Sequence, residues 1–365
     1  MEFSILKKDF VSAISKVIGA TEKKASMPIL SNILIKIEKD ILTIIGTDLE
    51  VTIITKIKCN NIVSEGKTVV PAKKIFDFVK ELPESEINIK IEDGLINMVI
   101  GKISGKLKVL QAEDFPMIEE YKDGFTKIDN NTIMKTIDKT IYAASTDEVR
   151  YSLNGIFLEK YINKLRFVAT DSHRMALCDL KEVNSIEGLT KGVIIPRKGL
   201  YEMRKINSDN DVEIAIDKNK NFIVRIGDTT IQMRLLDYDF PDYKPVIPKE
   251  TKVNIKINKN ILASAIKRAQ SIYQDKITRI IFNVNNKTLT IESSESDTGE
   301  AKEEIEIDYN GEPLTIGFNG RYVLDCLNTI ESDFIIIGLN NDQSVATIIP
   351  EEDKLHYNLI MPMRI

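Results

Sequence analysis

The sequence predicts an α+β protein made of three tandem copies of one domain, each with two helices packed on antiparallel sheet. Three observations predict it. The segments GKTVVPAKKIFDFVKEL (66–82), KGVIIPRKGLYEMRKI (191–206) and PLTIGFNGRYVLDCLNTI (313–330) each run an apolar strand into an amphipathic helix. Pro71, Pro196 and Phe318 mark their junctions, 125 and 122 residues apart. LTIIGTD (42–48), LRFVATD (165–171) and LTIESSE (289–295) recur at intervals of 123 and 124. Asp114-Phe115-Pro116 returns as Asp239-Phe240-Pro241, 125 residues on. An interval this long is a domain, not a solenoid repeat. It divides the 365 residues into 1–123, 124–249 and 250–365.

Each copy opens on an amphipathic run, around Val11, Met134 and Leu262. In the first, Phe10, Val11, Ile14 and Val17 share one face of a helix over 7–17. NILIKIEKD, ILTIIGTD and VTIITKIK then alternate apolar and polar residues, the pattern of half-buried antiparallel strands joined by tight turns. Pro71, suited to a first helical position, leads into the second helix. EINIKIEDG, LINMVIG and GKLKVLQAE close the copy as strands. The same reading places helices at 131–144, 196–206, 259–271 and 319–330. Copies end in polar stretches at MIEEYKDG (117–124) and DYKPVIPKE (242–250).

Composition is that of an ordinary soluble globular protein, 43% apolar and 29% charged. No stretch is long and apolar enough to span a bilayer, and the N-terminus has no signal-type apolar region, so a cytoplasmic protein is expected. Cys59, Cys178 and Cys326 lack metal-ligand or disulfide spacing and read as inert reduced thiols; no metal or cofactor is expected.

Charge is sorted. The chain holds 50 Lys+Arg against 55 Asp+Glu, yet the six predicted helices carry 16 bases against 6 acids, leaving −15 for everything else. Lys and Arg are good helix formers, but so is Glu, and propensity alone does not exclude it. A basic helical surface facing a polyanion fits the bias, with phosphate contacts that carry no sequence preference. The acidic run GEAKEEIEID (299–308) reads as a solvated strand.

What one copy holds alone is a candidate for function. After the shared Thr-Asp, the second copy continues Ser172-His173-Arg174-Met175, where the first has Leu49-Glu50-Val51. The chain also ends apolar, on Leu359-Ile360-Met361-Pro362-Met363-Arg364-Ile365, which suits a tail lying in or beside a groove. Asp171 and His173 could touch on a strand, but no nucleophile or ligand cluster accompanies them, and no catalytic residue is assigned.

ATDSHRMAL (169–177), RYSLNG (150–155), FPDYKPVIP (240–248), MPILSNILI (27–35), VVPAKK (69–74), IIPRKG (194–199) and the terminal MPMRI closely resemble the bacterial beta sliding clamps, processivity subunits of DNA polymerase III. The resemblance runs along the whole chain. It implies three clamp domains closing head to tail with a second copy into a six-domain ring around duplex DNA, helices inward. It implies DNA contacts at Lys24, Lys73, Arg150, Tyr151, Arg197, Lys198 and Arg204. It further implies a pocket for short linear motifs of the polymerase catalytic subunit, the clamp loader, other polymerases and repair proteins. That pocket maps to Leu153, Thr170, Ser172, His173, Arg174, Met175, Pro241 and Val246, with Leu359, Ile360, Met361, Pro362, Met363 and Arg364. Methionine gives such a wall its adaptability. The subunit contact is expected near Lys106 to Val109, at Leu107 and Val109, against Ile272 and Tyr273. Three positions depart from the family pattern: Ser172 for a common Gly, Pro245 for a frequent base, and Ser152 for a second aromatic after Tyr151. Two other readings stay open. One is an enzyme acting on a phosphorylated substrate through Asp171, His173 and Arg174; the other is a monomeric nucleic-acid scaffold that never closes.

Overall fold

A computed structural model describes the chain except residues 22–26, 60, 123, 148, 184, 207–209, 273–278, 296–298 and 365. Among the described residues six α-helices form where the apolar spacing places them, the first over the expected 7–17 and the other five slightly shorter than their sequence patterns. They are α1 (Lys7–Val17), α2 (Ala72–Lys80), α3 (Asn130–Ile141), α4 (Arg197–Arg204), α5 (Lys259–Gln270) and α6 (Gly320–Leu327). Pro71 and Pro196 are not first helical residues. Both keep extended backbone and act as N-caps of α2 and α4. Asn319, not Phe318, holds the equivalent place before α6, and its side chain accepts the Arg321 N–H.

Packing divides the described residues into two compact units. The first comprises 1–132, 186–190 and 195–235; the second comprises 133–185, 191–194 and 236–365. The division does not follow the repeat because sheet pairing joins successive copies. In the first unit an eight-stranded antiparallel sheet lays the first-copy strand Val51–Lys58 beside the second-copy strand Thr229–Arg234, with Thr55 opposite Thr229. The Thr55 and Thr229 hydroxyls, both buried, hydrogen bond at 3.1 Å across that seam. A five-stranded sheet in the same unit ends at the unpaired edge strand Ile103–Lys108.

In the second unit the second-copy strand Arg174–Leu180 pairs antiparallel with the last strand of the chain, His356–Ile360. A four-stranded sheet there ends at the edge strand Gly299–Glu306, the acidic run read as a solvated strand. α5 and α6 cover the third-copy core with Leu262, Ile266, Val323 and Leu327 against Ile280, Phe282, Ile337 and Ile348. Each such side chain contributes about 1.5–3 kcal/mol by leaving water. The strand Ala346–Pro350 pairs with both Phe334–Leu339 and His356–Ile360, tying the chain end into this core. All three cysteines are buried, and burial pushes the Cys178 and Cys326 thiols up to about 12. No helix is long and apolar enough to cross a membrane among the described residues.

Candidate functional site

The turn that opens the second copy's unique stretch is built by Asp171. Its Oδ1 accepts the N–H groups of His173 and Arg174 at 2.9 and 3.0 Å, and its Oδ2 accepts Arg174 Nε at 3.0 Å. Thr170 Oγ1 accepts the Ser172 N–H, and Ser172 takes a left-handed φ of 76°. The first copy repeats the backbone hydrogen bonds of this turn. Asp48 Oδ1 accepts from Glu50 and Val51, Thr47 Oγ1 accepts from Leu49, and Leu49 has φ 75°. The shared Thr-Asp is therefore turn chemistry. Leu49 is the poorer fit, because a branched side chain is strained at positive φ. Leu49→Gly is expected to stabilise by about 0.5–1 kcal/mol after the entropy cost of glycine, read as a higher urea midpoint.

Asp171 and His173 form no dyad. The carboxylate is occupied by backbone and Arg174, while the exposed His173 ring stacks near Tyr322 at 6.3 Å. Arg174 is fixed from four sides. It bonds Asp171 and Asp325, the latter at 2.6 Å, and its guanidinium lies 4.4 Å over the Tyr322 ring and 5.3 Å from Tyr142. Burial alone would lower its pKa, but the Asp325 and Asp171 carboxylates outweigh burial and hold it charged.

Behind this turn lies an apolar cavity of about 160 Å³. Register builds its floor: Thr170 lies opposite Met175, and Met175 opposite Leu359, so three adjacent strands present one row. Met175 and Leu359 are buried there. Ser172, His173 and Arg174 rim one side, with Pro241 and Val246 on another and Met361 closing the tail side. Val246 is 45% exposed and Met361 41%, an apolar rim open to solvent. His173 and Arg174 also line a neighbouring polar groove of about 350 Å³ with Asp147, Arg150, Asn319 and Arg321.

Five of the expected pocket residues lie elsewhere. Leu153 is buried at the end of a short 3-10 turn, its carbonyl accepting the Ser145 N–H. Ile360 points the other way along its strand, into the third-copy core. Pro362 and Arg364 follow Met361 without reaching the cavity, and Met363 pairs with Gly317. Sequence reasoning missed Asp242, Tyr243 and Val345, all of which line it. Tyr243 sits inside the quoted FPDYKPVIP and could have been found; Val345, in an unremarkable loop, gave no signal.

Of the residues expected on DNA, Lys73 is exposed on α2 and Arg204 at the end of α4. Arg197 donates to the Tyr201 hydroxyl at 3.2 Å, and Lys198 pairs with Asp48. Arg150 donates to the Asp171 carbonyl at 3.1 Å and to Ser172, so it also braces the turn. Tyr151 stacks on Tyr238 at 5.3 Å, with both rings about half exposed. Leu107 and Val109 are half-buried on and just beyond the edge strand Ile103–Lys108, and Ile272 is half-buried after α5. Lys24 and Tyr273 lie outside the described residues.

Three family models match in succession: the N-terminal domain of the DNA polymerase III beta subunit over 1–119, its central domain over 127–242, and its C-terminal domain over 244–364. Beta sliding clamps of Pseudomonas aeruginosa and Escherichia coli K12 are 32% and 30% identical, each alignment covering 100% of both chains. The crystal structure of the DNA polymerase III subunit beta from Pseudomonas aeruginosa superposes with a TM-score of 0.93 at 32% identity, over 100% of both chains. A sliding clamp from Bartonella birtlesii bound to griselimycin gives 0.95 at 30% identity, with the same coverage.

Proposed function

The chain belongs to the DNA polymerase III beta-subunit family, the bacterial sliding clamps, and we propose that two copies close head to tail around duplex DNA. It is a DNA-replication clamp, a non-catalytic component of the polymerase holoenzyme. Its three domains are taken as 1–123, 124–249 and 250–365. The observation that carries the reading is the pairing of a full-length threefold family match with helices of net +10 in a chain of net −5.

Retention by topology needs no strong adhesion. Lys24, Lys73, Arg150, Tyr151, Arg197, Lys198 and Arg204 supply weak, sequence-independent contacts on the DNA side, compatible with sliding. The acidic remainder limits adhesion elsewhere.

Closure uses two of the edge strands, one in each unit. Ile103–Lys108 carries Lys106 and Lys108 around Leu107, while Gly299–Glu306 carries Glu300, Glu303, Glu304 and Glu306. Opposite charge on two free edges favours strand addition between copies, with Val109, Ile272 and Tyr273 beside the contact. A heterologous contact that closes after two copies gives a ring and not a filament.

Partners dock at the 160 Å³ cavity. An aliphatic or aromatic anchor fills it, and the adjoining polar groove takes the polar part of the same segment. The polymerase catalytic subunit, the clamp loader, other polymerases and repair proteins are the proposed users, in the cytoplasm.

Loading onto nicked circular duplex, followed by gel filtration at moderate salt, tests the ring. The clamp should travel with the circle and be lost on linearisation. Retention unchanged by linearisation, or a monomer with steeply salt-dependent affinity for linear duplex, removes it.

A further inference from the structure

The wall of the apolar cavity is set from outside it, by a row of charges that only the second copy possesses. Tyr243 is 5% exposed, and its ring forms the inner wall beside Met175 and Leu359. Its hydroxyl leaves the apolar cluster and donates to Glu159 Oε1. Glu159 lies opposite Arg166, and Arg166 opposite Asp179, so the three form one cross-strand row on the same sheet face. Arg166 is locked there. It donates to both Asp179 oxygens at 2.7 and 3.0 Å, and its guanidinium lies 3.5 Å over the Tyr161 ring. Lys244, next to Tyr243, comes within 3.5 Å of Glu159. Burial, then the Glu159 carboxylate, hold the Tyr243 hydroxyl protonated far above its ordinary range, so it remains a donor.

The first copy is the internal control. At the 123-residue interval Glu159, Arg166 and Asp179 become Lys36, Thr43 and Lys56, and beyond the shared Asp-Phe-Pro, Tyr243 becomes Ile118. Those four residues line an open groove of about 820 Å³ in place of a small pocket. There Ile118 packs on the apolar cluster of Ile45, Ile54 and Phe115, and it brings no hydroxyl to the strand row.

We infer that Glu159 and Arg166 are positioning residues for partner binding, which hold the Tyr243 ring in place so that the cavity accepts one anchor of limited size. This rests on the docking reading above. Acetylated hexapeptides ending in Leu-Leu, Leu-Phe or Leu-Trp serve as probes, with affinities measured by calorimetry on the full chain. The native protein should bind Leu-Phe and reject Leu-Trp at least tenfold. Glu159→Ala should weaken Leu-Phe five- to tenfold and narrow that ratio. Glu159→Gln keeps an acceptor and should stay within twofold of native. In a Tyr243→Phe background Glu159→Ala should lose most of its effect, since the hydroxyl is the direct link from Glu159 to the ring and only the longer Lys244 pair remains. The inference is overturned if Glu159→Ala leaves affinity and ratio unchanged, or weakens binding equally in the Tyr243→Phe background. A native protein that binds none of the peptides sinks the docking reading first, and this one with it.

Discussion

Deletion of residues 361–365 is expected to cut partner-peptide affinity by about 30- to 100-fold while leaving the dimer intact. Met361 is the tail's contribution to the cavity, and its loss opens one whole side. A methionine side chain that closes on a buried anchor is worth about 2–3 kcal/mol, which is the stated range. The tail also holds the turn. Met361 donates its N–H to the His173 carbonyl at 2.8 Å, and Met363 donates to Gly317 at 2.8 Å. Without the first bond, His173 loses its backbone tie to the tail, and the pairing with the last strand stops at Arg174 opposite Ile360. Neither edge strand proposed for closure includes these residues, so the solution mass should remain near twice 41.3 kDa. Anisotropy of a labelled peptide ending in Leu-Phe, with sedimentation of the same sample, reads both quantities. Undiminished affinity removes the cavity from the partner site; a monomer in the truncated sample shows instead that the tail supports the subunit contact.

Much of the fold is legible in the amino-acid sequence. The repeat interval is a structural interval: strand Asn32–Glu38 returns as Gly155–Tyr161, and Ile41–Thr47 as Lys164–Thr170, each 123 residues on. The helices followed from apolar spacing because each packs one face on a sheet. The pocket was legible in part. Taking the whole tail as lining ignored the pleat, which sends Leu359 and Met361 to the cavity and Ile360 into the core. Applying period two to those three residues would have separated them. Pairing between copies was not legible, since nothing local in Val51–Lys58 or Thr229–Arg234 names the other as partner. Long-range strand pairing is decided by packing, and a single sequence does not print it. The role of Asp171 was hidden for a related reason. Its Oδ1 partners are backbone N–H groups, which every residue has.

Acid should weaken this fold through His356, and the amount can be read in one variant. His356 is fully buried opposite Cys178, and neither ring nitrogen has a hydrogen-bond partner of normal geometry. Burial first, then the nearby Lys139 charge, depress its pKa to about 4, against which the Asp353 carboxylate acts only partly. Lys139 itself is engaged by Asp353 at 2.7 Å. The unfolded chain takes up this proton near pH 6.5, whereas the folded chain refuses it until about pH 4. Between those values the unfolded state binds more protons, so stability is full above pH 6.5 and falls as pH drops through the window. From pH 8 to pH 5 the loss from this residue is about 2 kcal/mol. The lowered pKa of Asp353 places its own contribution below the window, so the two do not overlap. His356→Leu removes the titration and leaves no ring nitrogen unpaired, so it should cost little at pH 8. Urea midpoints at pH 8 and pH 5, compared between native and variant, should differ in their shift by that amount. An identical pH shift in both proteins would mean that His356 ionises in the folded state as readily as in water.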